Sequence, residues 1–158
     1  MGRCNEVVAD RCDCMGQPQP SAIATAHEAF AAVALAAVAC DGELAAVEAR
    51  SLRQQLEYRQ PFCALGDQAM GALLDNLLQL LRLQGWEALV AQAAPHLSTT
   101  QAETVLAVAA ALTQADHVES SAEVTFLQIL SGALAVAPER ARMILEVVAI
   151  LNRDSLAS

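Results

Sequence analysis

The chain has 158 residues, of which 55% are apolar and only 3% aromatic, and its formal net charge is −9. This length suits one domain with a hydrophobic core of its own. Nucleic-acid backbones and anionic membranes bind basic protein surfaces. Because this chain is strongly acidic, neither is an expected partner. Its acidic clusters favour cations or basic surfaces of other proteins.

The N-terminal residues differ in kind from the rest. Residues 1–20 show no helical period and end in Gln-Pro-Gln-Pro, which predicts a flexible tail before a domain over 21–158. Met15 is an alternative start. The tail holds a single Cys-x-Cys, a weak metal signal, so an unimportant role is expected for Cys4, Cys12 and Cys14.

The cysteines also bear on the compartment. Five cysteines, unevenly spaced, do not form a secreted disulfide framework, and no apolar leader segment is visible. A reduced, cytoplasmic setting is therefore expected. The longest apolar runs are too short to span a bilayer and predict buried core helices rather than membrane insertion.

From residue 21 onward the sequence predicts helices with short breaks. Alanine and leucine dominate, and both are strong helix formers, whereas no segment has the pattern of a strand. The expected architecture is an all-α, single-domain bundle of about seven helices: 22–40, 45–58, 67–83, 86–94, 100–115, 120–134 and 138–151.

Helix boundaries follow from caps and breakers. Asp41-Gly42 ends the first helix and Gly85 ends the third. Capping boxes are predicted at Thr100–Glu103 and at Ser120–Glu123. Pro138 takes the first position of the last helix.

Two segments align when the chain is shifted by 75 residues. FAAVALAAVACDGELAAVEARSLRQQL (30–56) lies over VLAVAAALTQADHVESSAEVTFLQILS (105–131). Both copies read as an apolar helix, an acidic turn and a new helix, and they share an Asp-x6-Glu-x3-Leu frame. Such duplicated hairpins commonly pack about a pseudo-two-fold axis, which would bring the acidic turns together.

The segments ACDGELAAVEARSL (39–52) and QADHVESSAEVTFL (114–127) resemble the TerB family of tellurite-resistance proteins, over roughly 23–150. That family carries two such units in an all-helical fold. The second copy departs from the pattern, with His117 in place of glycine and Glu119 one position later than Glu43. The resemblance implies a role in tellurite or metal stress, a metal site at the acidic residues and a partner that is membrane-associated.

The acidic turns are the candidate metal site. Carboxylate and carbonyl oxygens suit a hard divalent cation, and a carboxylate at a helix C-terminus is otherwise unfavourable. The candidate ligands are Asp41, Glu43, Glu48, Asp116, Glu119 and Glu123, and His117 could add a nitrogen ligand. The alternative is structural, because Asp-Gly favours turns and glutamates in a helix's first turn are stabilised without metal.

No catalytic motif is visible, so a non-enzymatic protein is expected. Three functions follow in order of preference: a cation-binding stress protein, an acidic adaptor that binds a partner protein without metal, and an enzyme that uses its carboxylates in acid–base chemistry. A homodimer is also considered, since so apolar a chain could present a dimer face.

Overall fold

The computed structural model describes residues 19–41, 46–114 and 121–153, and across them the protein is all-helical without strands. This confirms the all-α class. Nearly all of the predicted tail lies outside the described residues. The α-helices are α1 (Ala26–Val38), α2 (Ala46–Glu57), α3 (Asp67–Ala93), α4 (Thr99–Thr113), α5 (Ser121–Ala133) and α6 (Pro138–Leu151), with 3₁₀ turns at Phe62–Ala64 and Ala94–His96.

Helix α1 lies at the centre of the bundle. Every residue from Ala29 to Val38 is buried, and the helix contacts α2, α3 and α4. A helix that is apolar on all sides is stable only when it is covered on all sides. Six of those ten residues are alanines, whose small side chains let neighbouring helices approach closely.

The start of α1 is fixed by a capping box that the sequence analysis missed. The backbone N–H of Glu28 donates to Thr25 Oγ1 (3.3 Å), and Glu28 Oε2 accepts from the N–H of Thr25 (2.9 Å). The helix therefore begins at Ala26 rather than near residue 22. Partial burial raises the pKa of Glu28, but hydrogen bonds from the backbone of Ala24 and from Thr25 outweigh it and lower the pKa below its usual value.

The number of helices differs from the prediction. The predicted break at Gly85 is present, since its backbone is non-helical (φ 82°, ψ 166°), but the third and fourth predicted helices join across this kink in the single element α3. The structure therefore has six α-helices within its described ranges rather than about seven. The physical reason is that one non-helical glycine redirects the chain, after which helical geometry resumes at once.

Caps at later helices were predicted with mixed success. The box that opens α4 consists of Ser98 and Gln101, so the predicted box at Thr100–Glu103 is wrong by two residues. Pro138 does stand in the first turn of α6, as predicted. The predicted box at Ser120–Glu123 includes a residue outside the described ranges.

Side-chain contacts tie the outer helices to this core. Trp86 on α3 meets Phe126 on α5 edge to face, with ring centroids 5.0 Å apart. Arg140 on α6 forms two parallel hydrogen bonds to the Glu103 carboxylate on α4 (3.0 and 3.1 Å). In the described part of the chain, no helix is both long and apolar enough to cross a membrane.

Two glycines of α3 give a matched test of the bend. A Cβ added at Gly85 or at Gly71 would meet no neighbouring atom within 4 Å, so only backbone conformation separates the two sites. We expect Gly85→Ala to lower the free energy of unfolding by about 1–3 kcal/mol, because its φ and ψ favour glycine. We expect Gly71→Ala to raise it by about 0.5–1 kcal/mol, because alanine is the better helix former.

Urea unfolding followed by circular dichroism measures both changes. A Gly85→Ala variant as stable as the parent chain would show that α3 does not need this bend.

Candidate functional site

Three of the six candidate ligands lie within the described residues. Asp41 is exposed and follows the end of α1, whereas Glu48 and Glu123 are half-buried in the first turns of α2 and α5. The other three, Glu43, Asp116 and Glu119, lie outside the described residues.

Cys40 is the point at which the described carboxylates converge. It is half-buried between the end of α1 and Asp41 and packs against the hydrophobic core. The pKa of its thiol is raised to about 11, first by burial and then by the negative charges of Asp41, Glu123 and Glu48, in that order. Carboxylates act on a thiol in this way only when they are near it.

This convergence joins distant parts of the sequence. The first turns of α2 and α5 lie far apart along the chain, yet Glu48 and Glu123 both act on one sulfur atom. The two glutamates are also the equivalent members of the predicted repeat, each in the first turn of its helix. The repeat itself and its pseudo-two-fold axis remain predictions.

Helix geometry accounts for part of this acidic cluster without a ligand. The N-terminal end of a helix carries partial positive charge, so Glu48 and Glu123 are each stabilised where they stand. Asp41 has no such support from α1, because it follows the negative, C-terminal end of that helix. The cluster therefore contains one carboxylate in an unfavourable place and two in favourable ones.

The donor set suits a hard cation better than a soft one. Its carboxylate oxygens are the ligands that Ca²⁺, Mg²⁺ and Mn²⁺ prefer. The Cys40 thiol stays protonated at neutral pH, and a thiol must lose its proton to bind zinc strongly. Among the described residues, however, no three His, Cys, Asp or Glu side chains are arranged closely enough to hold an ion. A complete site would need ligands from 42–45 or 115–120.

The remaining candidates lie apart from this cluster. His27 is in the first turn of α1, at the opposite end of that helix, and His96 is exposed after α3. Cys63 is an exposed free thiol in the 3₁₀ turn after α2. His117 lies outside the described residues.

Sequence analysis missed a cavity beside the first turn of α1. The cavity has a volume of about 540 Å³, and its lining includes His27, Phe30, Arg59, Phe62 and Thr104. These residues come from α1, from the segment after α2 and from α4. No spacing rule connects them, so only the packing of the helices reveals the cavity.

Comparison of the chain with protein-family models, with curated proteins and with solved structures finds no match. The TerB resemblance therefore rests on the two quoted segments alone, and membership of that family stays a prediction.

The raised pKa of Cys40 predicts a loss of stability in alkali. The pKa in the folded protein (about 11) exceeds the usual value of 9.0, so the folded state holds its proton more tightly than the unfolded state. The contribution to the free energy of unfolding is complete below about pH 9 and is lost as the pH rises through 11. Urea unfolding between pH 8 and 11 should therefore show that the free energy of unfolding falls less with rising pH in Cys40→Ala than in the parent chain.

Cys63→Ala is the matched control, because its thiol is exposed, and it should follow the parent chain. If the free energy of unfolding falls equally at alkaline pH in the parent chain and in Cys40→Ala, the Cys40 thiol is not held protonated by its surroundings.

Proposed function

We propose that the protein is a TerB-like, non-enzymatic protein of tellurite or metal stress that binds a divalent cation through its two acidic inter-helix turns. One observation carries the proposal: carboxylates that follow α1, open α2 and open α5 all act on the Cys40 thiol. We further propose a cytoplasmic location, in keeping with the reduced setting that the cysteine pattern favours.

The charges supply the reason why a cation would bind. Asp41, Glu48 and Glu123 each act with a negative charge on the half-buried Cys40, which packs against the hydrophobic core. A divalent cation held near this residue would be attracted by all three charges. It would also offset the unfavourable position of Asp41 beyond the negative end of α1.

Cation binding would join separate elements. A ligand shared by Asp41, Glu48 and Glu123 would connect the end of α1 to the starts of α2 and α5. Because α1 fills the core, the bound ion would be fixed relative to the whole bundle. In this proposal the bound ion changes how tightly the two acidic turns are held, and a partner protein recognises the changed turns.

The direct test is calorimetric titration of chelator-treated protein with Ca²⁺, Mg²⁺, Mn²⁺ and Zn²⁺. We expect saturable binding of a hard cation, and we expect Glu48→Gln combined with Glu123→Gln to weaken it at least about tenfold, since two charged ligands are lost. Each substitution removes charge and keeps the shape of the side chain.

Glu87→Gln on α3 and Glu146→Gln on α6 together form the control, because both carboxylates are exposed on helices outside the cluster. The control pair removes the same total charge and should bind like the parent chain. Absence of binding to the parent chain, or equal weakening by both pairs, would remove the cation from the proposed function.

The adaptor function has its own supporting observation. Helix α6 turns Ala141 and Val148 towards the core, yet it leaves four large apolar side chains exposed in a row at helical spacing: Met143 (54%), Val147 (49%), Ile150 (50%) and Leu151 (78%). Exposed apolar rows of this kind are typical of protein–protein contact sites. We propose that a partner protein binds this face. The partner considered includes a second copy of the chain.

Sedimentation at micromolar concentrations tests self-association through α6. We expect a dimer that Val147→Glu reduces to monomer, because the substitution places a charge in the middle of the apolar row. Gln128→Glu on the exposed side of α5 adds the same charge elsewhere and should leave the dimer intact. A monomeric parent chain would exclude the homodimer and leave the face to a different protein.

A further inference from the structure

The cavity at the N-terminal end of α1 has a chemical character opposite to that of the acidic cluster. Its base is aromatic: Phe30 and Phe62 are buried, with ring centroids 6.1 Å apart, and the His27 ring meets Phe62 edge to face at 6.3 Å. Exposed residues surround its mouth, among them Gln60 and Thr100. Its volume of about 540 Å³ falls within the usual range for small-molecule sites.

Among the described residues that line this cavity, Arg59 is the one charged side chain apart from the titratable His27 ring. Its Nη1 donates to the backbone oxygen of Gln55 (2.6 Å) and to Gln55 Oε1 (3.0 Å), which fixes the half-buried guanidinium against the end of α2. No carboxylate within the described chain forms a salt bridge with it. Its remaining N–H groups have no hydrogen-bond partner among those same residues and stay available to a ligand.

The surroundings add positive potential to the guanidinium charge. Ala26 and His27 belong to the first turn of α1, and Thr100 and Gln101 to the first turn of α4. Helix N-termini carry partial positive charge. The nearby Glu28 carboxylate is bonded to the backbone of Ala24 and Thr25 and does not line the cavity. A chain of net charge −9 thus contains a cavity with an arginine and no carboxylate in its described lining.

We propose that this cavity binds a small organic carboxylate whose apolar part is an aromatic ring. The planar guanidinium of Arg59 matches a carboxylate in geometry and charge. The aromatic base supplies the edge and face contacts that an aryl ring prefers. A phosphate group, with its greater charge, would call for more cationic side chains than this one arginine.

The neighbouring space defines the orientation of the ligand. A second cavity of about 300 Å³ lies beyond Arg59 and Thr104, which line both spaces, and its other walls include Ala107, Val148 and Leu151. That second space offers no aromatic ring. The carboxylate is therefore assigned to Arg59 and the aryl ring to the side of Phe30 and Phe62. This site is independent of the cation proposal, because it lies at the other end of α1.

Calorimetry and two-dimensional NMR with phenylacetate, and with its neutral analogue phenylacetamide, test the proposal on the full chain. We expect phenylacetate to bind with a dissociation constant below about 1 mM and phenylacetamide at least about tenfold more weakly. The largest amide shifts should fall on His27, Phe62 and Thr100 rather than on Val148.

Arg59→Gln should weaken phenylacetate binding at least about tenfold, because the charged hydrogen-bond donor is lost. Arg50→Gln, at an exposed position of the same region on α2, is the matched control and should bind like the parent chain. Circular dichroism establishes that each variant is folded. If Arg59→Gln fails to fold, the two ligands and the shift map on the parent chain still decide the question.

Three results would overturn the proposal. The first is no phenylacetate binding to the parent chain. The second is that phenylacetamide binds as tightly as phenylacetate, or that Arg50→Gln weakens phenylacetate binding as much as Arg59→Gln does. Either outcome would show that the Arg59 charge has no specific role. The third is a shift map centred on Val148, which would place the ligand in the other cavity.

Discussion

Burial of α1 on all sides is the constraint on which the rest of the structure depends. Ten consecutive residues of this helix are buried, so other helices must cover it on all sides. Its alanines allow α3 and α4 to pack closely against it, and the larger side chains of those helices then fill the core. The amphipathic outer helices, such as α2 with its buried Leu52 and Leu56, take their orientation from that central surface.

The two candidate sites lie at opposite ends of α1. The helix has 13 residues and is therefore about 20 Å long. At its negative end, carboxylates from two other helices act on the Cys40 thiol. At its positive end, the cavity around Arg59 has the opposite electrostatic character. One apolar helix thus separates two regions of opposite charge, each of which draws residues from distant parts of the chain.

Local sequence rules predicted much of the fold, and their errors share a cause. Apolar periodicity and composition predicted an all-helical chain, and Pro138 marked the start of α6. The box that opens α4 was placed two residues late, because Thr100 and Ser98 offer equally plausible hydroxyls and only backbone geometry selects Ser98. Gly85 was recognised as a break with a helix resuming at Trp86, but the sequence could not show that the two segments form one bent element.

The sequence by itself determined which residues could form the candidate site, whereas the tertiary structure decided which of the described ones act electrostatically on the same residue. Spacing identified Asp41, Glu48 and Glu123, because carboxylates stand out where apolar helices end and begin. It did not predict that Cys40 would lie among them, since a cysteine in an alanine-rich helix looks like any small core residue. The Arg59 cavity was equally hidden. Its walls come from three segments, and only packing around a buried helix brings such segments together, because contacts across space leave no periodic signal along the chain.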